Sequence, residues 1–386
     1  MAINYARHYI DKSDIDSVIK VLKSNLLTQG PVSQKFERKL KSKFGSKYCC
    51  VVANGTAALH LSGLALGWKK GDIVLTSSMT FLASANAIVY CGATPSFVDI
   101  DSTYTIDPNK LEDKIKRYQN KGKKVKAIIG VDYAGHPCDW TALKFLGKKY
   151  NIKLINDNCH ALGASYKKTS KYAIKYADIV THSYHPAKNI TSGEGGAVLT
   201  NNKTVMEIIK NLRNHGMLKD PKYISKKNGP WYYEMRDIGY NYRISDIHCA
   251  LGLSQLKKLD KFIINRRRIA KYYNNKFRSD ARFIIPYEAK NINHAYHLYP
   301  LQINFNNQKI NKKEFYNRMR EKGINLMVHY IPVHLQPFYK DKYNFKLGDF
   351  PVAEKFYQNV FSIPNYPTLK NNEINKVINS IYNLLN

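Results

Sequence analysis

Short apolar runs alternate with helix-like segments between residues 48 and 157, and this alternation constrains the fold more than any other feature. Each run has the length of one strand, and the segment after it has the apolar spacing of a helix. This order predicts an α/β fold with a mainly parallel sheet covered by helices on both faces. No G-x-G-x-x-G sequence follows these runs, so a dinucleotide-binding fold is not favoured. The predicted strands are residues 48–52, 73–76, 95–99, 127–131 and 153–157.

A single lysine, Lys188, lies in a loop between two further strand-like runs, residues 177–181 and 197–200. A lysine amine that is partly buried loses proton affinity, and a neutral amine can attack a carbonyl carbon to form a Schiff base. The alternative is an ordinary solvated lysine, which is a strong competitor because the chain has 61 Lys and Arg among 386 residues. The loop alone therefore does not decide between the two interpretations.

Two other stretches favour the catalytic interpretation. Asp157 ends a predicted strand, and open α/β sheets bind ligands at the carboxyl ends of their strands. Residues 54–58 begin an apolar helix with a glycine and a hydroxyl, where free N–H groups and the helix dipole attract phosphate. A lysine, a carboxylate and a phosphate cradle are the three supports that pyridoxal phosphate requires. The sequence thus predicts a pyridoxal phosphate site.

Over nearly its whole length the chain resembles the DegT/DnrJ/EryC1/StrS family of sugar aminotransferases. The resemblance implies the fold type I architecture of the aspartate aminotransferase superfamily. It further implies an arm at residues 1–12, a large cofactor-binding domain at 13–255 and a small C-terminal α+β domain at 256–386. The motifs that carry it are Leu27-Thr28-Gln29-Gly30-Pro31, Ser183-Tyr184-His185-Pro186-Ala187-Lys188, Gly239-Tyr240-Asn241-Tyr242-Arg243 and Val328-His329-Tyr330-Ile331-Pro332.

The resemblance assigns cofactor roles residue by residue. Lys188 would hold the cofactor covalently and shuttle the proton, while Asp157 would keep the pyridine nitrogen protonated. His160 would contact the ring hydroxyl, Phe81 would stack on the ring, and Asn241 would reach the phosphate of a partner subunit in a homodimer. Three of these roles have a purely structural alternative. Asp157 could cap a loop, His160 could be a buried histidine with satisfied hydrogen bonds, and Phe81 could pack in the core. The remaining phosphate-site residues would be Gly55, Thr56, Ala57 and Ser183.

The substrate implied by the resemblance is a nucleotide-linked 4-keto-6-deoxysugar, with L-glutamate as the amino donor. Residues 131–135, 213–219 and 250–256 resemble the branch of pseudaminic acid biosynthesis, which implies a UDP-4-keto-6-deoxy-N-acetyl-L-altrosamine type of sugar. The alternatives are another 4-aminotransferase, such as one that forms GDP-perosamine, and a non-catalytic nucleic-acid-binding or regulatory protein. The substrate-site candidates, each of which could also be ordinary loop polarity, are Gln29, Arg213, His215, His329 and His334.

The net charge of +32 does not by itself indicate a nucleic-acid partner. The lysines are spread along the chain, and the densest basic cluster, residues 266–268, lies on a predicted helix whose charges are expected to face solvent. Six scattered cysteines without a C-x-x-C pair indicate reduced core thiols and no metal site. No apolar run has the roughly 20 residues of a membrane span, and the start does not resemble a signal peptide. A cytoplasmic enzyme that binds no membrane is expected.

Four local predictions can be compared directly with the structure. A helix is expected from Ser13 to about residue 25, with Ile15, Val18, Ile19 and Leu22 on one face. A second helix is expected from residue 245 to about 262. Residues 219–231 are expected to form a mobile loop. Residues 297–303 and 324–328 are expected to be strands of the small domain.

Overall fold

The computed structural model describes residues 2–219, 224–225, 229–306 and 308–386. The expected mobile loop at 219–231 therefore lies largely outside the described residues. Within the described ranges, no helix is both long and apolar enough to cross a membrane.

Strands and helices alternate through the first half of the chain, as the sequence predicts. The strands are β1 Ile3–Asn4, β2 Tyr48–Val52, β3 Ile73–Ser77, β4 Thr94–Val98, β5 Val125–Val131, β6 Lys153–Asp157, β7 Ser165–Tyr166, β8 Ile179–Ser183, β9 Gly196–Thr200, β10 Met217–Leu218, β11 Glu234–Met235, β12 Phe283–Ile284, β13 Ile292–Asn293, β14 Tyr299–Ile303, β15 Ile324–Asn325 and β16 Val360–Ile363. The helices are α1 Lys12–Leu22, α2 Pro31–Phe44, α3 Gly55–Ala65, α4 Leu82–Tyr90, α5 Pro108–Asn120, α6 Trp140–Lys149, α7 Tyr172–Tyr176, α8 Lys203–Arg213, α9 Asp246–Leu256, α10 Leu259–Phe277, α11 Lys312–Glu321, α12 Pro337–Tyr343, α13 Pro351–Asn359 and α14 Asn371–Leu385.

Seven strands form the central sheet in the order β2-β9-β8-β6-β5-β3-β4. Within this sheet β9 runs antiparallel to its two neighbours, and the other six strands are parallel to one another. All five residues of β3 are buried, because helices cover both faces of the sheet. Parallel strands end at the same edge, so Asp157 at the end of β6 and Ser183 at the end of β8 lie at one edge of the sheet.

Helix α10 joins two apolar cores. Leu259 and Phe262, near its start, pack in the core of the large sheet, whereas Tyr273 and Phe277 pack in a second core with β14 and β16. The second core surrounds an antiparallel sheet of order β12-β14-β16. Ile3 of β1 also packs in this second core. The domain boundary between residues 255 and 256 stays a prediction.

The prediction of a solvated basic cluster is wrong for Arg266, which is only 1% exposed. Its guanidinium donates to the backbone carbonyl oxygens of Tyr296, His297 and Asn365, which replace water as hydrogen-bond partners. Burial lowers the pKa of Arg266 to about 9. A triplet of arginines in a sequence does not show that one of them is oriented inward.

The apolar face of the first helix is not the face that is buried. Helix α1 begins at Lys12 with Asp11 as its N-cap, and Ile15, Ile19 and Leu22 are exposed. Asp14 is buried instead, and its Oδ2 accepts hydrogen bonds from Lys258 Nζ at 2.7 Å and from a side-chain amide of α9. This buried polar contact, which apolar periodicity cannot reveal, determines which face of α1 points inward.

Two further predictions need correction. The helix expected from residue 245 to 262 is interrupted, because α9 ends at Leu256 and α10 begins at Leu259. The strand expected at 324–328 is limited to β15, which pairs in parallel with β1. Beyond β15, Met327 forms a single antiparallel bridge with Ser362 of β16 in the C-terminal sheet. The arm at the start of the chain supplies the strand partner that the sequence pattern could not indicate.

Candidate active site

A cavity of about 570 Å³ opens at the carboxyl edge of the central sheet. Four residues that were predicted to contact the cofactor line this cavity: Asp157, His160, Ser183 and Lys188. The start of α3 and the start of α4 form its other walls. The structure thus brings together the groups that were predicted to hold the cofactor.

Lys188 follows β8 in a turn in which its backbone N–H donates to the His185 carbonyl oxygen at 2.8 Å. Its side chain is partly buried. Burial lowers the pKa of the Lys188 amine, while the nearby Cys159 thiol and Asp157 carboxyl oppose this shift. A lower pKa increases the fraction of neutral amine, which is the form that attacks a carbonyl carbon.

The Asp157 carboxylate is held by hydrogen bonds to both of its oxygens. Oδ2 accepts from Ser84 Oγ at 2.7 Å, and Oδ1 accepts from the Cys159 backbone N–H at 3.2 Å. Ser84 is itself hydrogen-bonded to Thr80 Oγ1 at 2.9 Å. The carboxylate is therefore fixed at the cavity wall, where it can bind a cationic ring nitrogen.

A second carboxylate lies behind Asp157 and is fully buried. Asp132 Oδ2 accepts hydrogen bonds from the side-chain amides of Asn156 at 3.1 Å and Asn158 at 2.9 Å, the two residues that flank Asp157. The Tyr172 hydroxyl donates to the same oxygen at 2.6 Å. Asp132 therefore fixes the end of β6 from behind.

The start of α3 forms a tight cradle beside the lysine loop. A Cβ atom on Gly55 would lie 2.9 Å from Ser183 Cβ, which real structures do not allow, so the backbone approach there requires glycine. Gly55 and Thr56 line the cavity, but Ala57 does not. The Ala57 N–H instead donates to Asn54 Oδ1 at 2.8 Å. The expected phosphate contact of Ala57 would require Asn54 to release this N–H.

An aromatic and histidine wall faces the cradle. Phe81 is 54% exposed and lines the cavity, with its ring centroid 5.7 Å from that of Tyr330. His160 Nε2 lies 3.1 Å from the Tyr330 hydroxyl. His329 also lines the cavity, and its Nδ1 contacts Ser362 Oγ at 2.8 Å. The exposed ring of Phe81 leaves a face available for stacking.

His334 lies away from this cavity. Its Nε2 is 2.9 Å from Glu354 Oε1, and its ring packs against Phe350 at 4.6 Å between centroids. His334 is completely buried. The structure therefore places His334 in the core, where Glu354 is the side-chain partner of its Nε2, and not in the cavity that contains Lys188.

Three other substrate-site candidates are not brought to Lys188 within one chain. Gln29 and Arg213 line a separate polar cavity of about 250 Å³, where Arg213 Nη1 donates to the Val51 carbonyl oxygen at 2.8 Å. His215 is exposed and lines neither cavity. Asn241 is also exposed, and it bridges to Asn214. A single chain thus leaves these residues outside the cavity that contains Lys188.

The residues that line the cavity around Lys188 fit pyridoxal phosphate in their chemistry and in their positions. The cradle at Gly55 is too narrow for a side chain, the Lys188 amine has a lowered pKa, and Asp157 is held as a hydrogen-bond acceptor. When bound, the cofactor supplies an aldehyde for the amine and a ring that withdraws electrons from the reacting carbon. Within this cavity the exposed face of Phe81 remains available to stack on the ring, whereas both ring nitrogens of His160 already have partners.

Sequence analysis missed several residues of this site. Ser84 binds the Asp157 carboxylate, and Asp132 binds the two asparagines that flank Asp157. Tyr330 was quoted within a motif without a role. His297 lines the cavity with its ring centroid 4.4 Å from that of His160. The available signals were the position of Tyr330 next to His329 in the fourth motif and the position of Asp132 within residues 131–135.

Comparisons with known proteins agree with this geometry. A family model described as the DegT/DnrJ/EryC1/StrS aminotransferase family matches residues 8–382. The chain is 37% identical over 385 residues to the UDP-4-amino-4,6-dideoxy-N-acetyl-beta-L-altrosamine transaminase of Campylobacter jejuni serotype O:2, covering 99% of this chain and 97% of that protein.

Solved structures show the same fold. Helicobacter pylori PseC, an aminotransferase involved in the biosynthesis of pseudoaminic acid, superposes with a TM-score of 0.89 at 30% identity, covering 100% of this chain and 99% of that one. The putative sugar aminotransferase Spr1654 from Streptococcus pneumoniae, in its PLP form, superposes with a TM-score of 0.88 at 26% identity, covering 100% and 98%. The predicted architecture and the predicted cofactor are confirmed.

Proposed function

Since the chain belongs to the DegT/DnrJ/EryC1/StrS aminotransferase family, we propose that it transfers the amino group of L-glutamate to C4 of a UDP-linked 4-keto-6-deoxy-N-acetyl-L-altrosamine type of sugar, as in pseudaminic acid biosynthesis. Membership makes the chain a pyridoxal-phosphate-dependent sugar aminotransferase. The choice of nucleotide, sugar and donor goes beyond membership. It is supported by the similarity to the Campylobacter and Helicobacter proteins over their full lengths.

The observation that carries the proposal is the convergence of Lys188 and Asp157 in one cavity. Transamination requires a base at the reacting carbon and a charge partner for the cofactor ring. The free Lys188 amine would move a proton at the reacting carbon, and Asp157 would hold the ring nitrogen in its protonated form. Both groups are intact and face the same cavity.

The experiment that tests the substrate is a scan of 4-keto sugar nucleotides with glutamate as the donor. Formation of 2-oxoglutarate and the mass of the amino sugar product would be measured for UDP-, GDP- and dTDP-linked sugars. We expect turnover with the UDP-linked 4-keto-6-deoxy-N-acetylhexosamine. Preference for the GDP-linked sugar would instead support perosamine formation, and turnover with none would refute the proposal.

We also propose that two copies of the chain form a homodimer whose active sites are shared. Asn241 is exposed outside its own Lys188 cavity, and the segment before it exposes apolar side chains that a second copy would cover. These side chains are Trp231, Tyr233, Met235 and Ile238. A twofold dimer would then contain two identical composite sites.

Subunit mixing tests the shared site. Lys188→Ala removes the amine from one chain, and Asn241→Asp places a carboxylate that would repel the cofactor phosphate. Neither variant should be active alone, but a mixed dimer would contain one site with both residues intact. Recovered activity on mixing would support the proposal. Confirmed mixed dimers without recovery would place Asn241 in its own chain's site or outside any site.

A further inference from the structure

The proton on the His160 ring can be assigned from its partners. The Ala134 backbone N–H donates to His160 Nδ1 at 3.2 Å. A backbone N–H can only donate, so Nδ1 carries no proton and the proton of the neutral ring is on Nε2. Burial, with a contribution from the charge of Lys188, lowers the pKa of His160 well below its usual value. His160 is therefore a fixed hydrogen-bond donor at Nε2.

This assignment determines the role of the Tyr330 hydroxyl. His160 Nε2 lies 3.1 Å from the Tyr330 oxygen and donates to it. The Tyr330 hydroxyl therefore does not donate to His160, and the part of the chain that the structure describes contains no other acceptor for its hydrogen. Burial raises the pKa of Tyr330, so the hydroxyl keeps its proton at neutral pH.

The Tyr330 side chain also has a fixed place in the cavity wall. Its ring lies between Phe81, at 5.7 Å, and Tyr133, at 6.4 Å between centroids. Its backbone N–H contacts Met79 Sδ at 3.4 Å. Because the ring and the oxygen of Tyr330 are both held in place, the hydroxyl hydrogen can move only by rotation about the C–O bond. An acceptor for this hydrogen can enter through the cavity.

We propose that Tyr330 is a hydrogen-bond donor to an oxygen atom of the bound ligand, and that His160 positions it for this role. Two sources of that oxygen share the same chemistry: the ring oxygen of the cofactor and the C4 oxygen of the keto sugar. The second source rests on the proposed function. In both cases the hydroxyl stabilises negative charge that develops on the oxygen, and no proton needs to leave Tyr330.

Tyr330→Phe removes the donor and keeps the ring. In the holoenzyme without substrate, the cofactor dissociation constant and the visible absorption spectrum are measured as a function of pH. Single-turnover rates are then measured for the glutamate half-reaction and for the sugar half-reaction. An increase of about tenfold in the dissociation constant, with a shifted titration of the visible band, assigns the oxygen to the cofactor. The oxygen is assigned to the sugar if the visible band and the glutamate half-reaction are unchanged while the sugar half-reaction slows about 100-fold.

The inference is overturned if every reading stays within about twofold of wild type, or if both half-reactions slow equally while the band and cofactor affinity are unchanged. Tyr339→Phe is the matched control, because its hydroxyl donates to Asn86 Oδ1 at 2.6 Å outside the cavity. It should leave all four readings unchanged. His160→Leu, which removes the donor to Tyr330, should move the affected reading in the same direction as Tyr330→Phe. His160→Gln, whose amide can still donate to Tyr330, should move that reading less than His160→Leu does.

Failure of the proposed function would look different. If the wild-type protein aminates no keto sugar, the substrate proposal fails, but the cofactor band and the glutamate half-reaction still test Tyr330. In that case, the inference is also overturned if Tyr330→Phe has the same cofactor affinity, visible band and glutamate half-reaction as wild type.

Discussion

Three buried histidines should make the protein sensitive to mild acid. Burial lowers the pKa of His136 to about 4 and the pKa values of His182 and His329 to about 3. In the unfolded chain each would have a pKa of about 6.5. The unfolded chain therefore takes up protons that the folded chain does not, and acid favours unfolding. Stability is retained above about pH 7 and is lost as the pH falls from about 6.5 toward 4.

The size of the effect follows from the distance between the pH and the unfolded pKa. At pH 5 each histidine is about 1.5 units below its unfolded pKa, which corresponds to about 2 kcal/mol. The three together would remove about 6 kcal/mol from the free energy of unfolding. This is a large part of the roughly 5–15 kcal/mol that typical proteins have.

Urea unfolding of the cofactor-bound protein at pH 7.5 and pH 5 measures this loss. His182 is fully buried, with its ring 4.6 Å from that of Phe44, so His182→Leu removes one titrating group from the core. The variant should lose about 2 kcal/mol less than wild type between the two pH values. His8 is exposed, and His8→Leu serves as the control that should keep the wild-type difference. An unchanged pH difference in His182→Leu would refute the reasoning.

Three further substitutions, the last with a matched control, test the site and its support. Lys188→Ala should abolish turnover and the covalent attachment of cofactor seen by borohydride reduction and mass spectrometry; near-normal turnover would contradict the assignment. Asp157→Asn keeps the shape but removes the charge, so kcat should fall about 100-fold, equivalent to about 3 kcal/mol, and a fall below about threefold would mean that another group holds the ring nitrogen. Asp132→Asn puts an amide among donors and should lower the free energy of unfolding by about 2–4 kcal/mol in urea titrations. Asp139→Asn, at the exposed N-cap of α6, should cost about 1 kcal/mol or less, and equal losses for the two would argue against the buried network.

The sequence predicted the parts of the site that follow from local rules. Asp157 and Ser183 end strands of a parallel sheet, so their common edge could be expected before any coordinates were known. The start of α3 was expected within two residues, because glycine and asparagine mark such starts. These inferences depend on periodicity and capping, which act over a few residues.

The remaining features depend on contacts between distant segments. Tyr330 is 170 residues from His160, and Asp132 is 24 and 26 residues from the two asparagines that it binds. His334 was predicted at the substrate because it follows a motif, but it is buried in the core, where its Nε2 lies beside a glutamate of α13. A sequence pattern reveals which residue types are present, whereas burial and long-range partners decide which of them face the cavity.

The burial that prepares the lysine also explains the acid sensitivity. A protonated Lys188 and a protonated His329 would repel each other in the same enclosed cavity, and each charge lowers the proton affinity of the other group. The charge of Lys188 contributes to the lowered pKa values of His160, His297 and His329. Burial, which keeps these rings neutral, also lowers the pKa of the Lys188 amine. The free energy lost when these rings are protonated in acid is a consequence of the same arrangement, so a variant that relieves the acid sensitivity at His329 should also change the pH dependence of cofactor capture by Lys188.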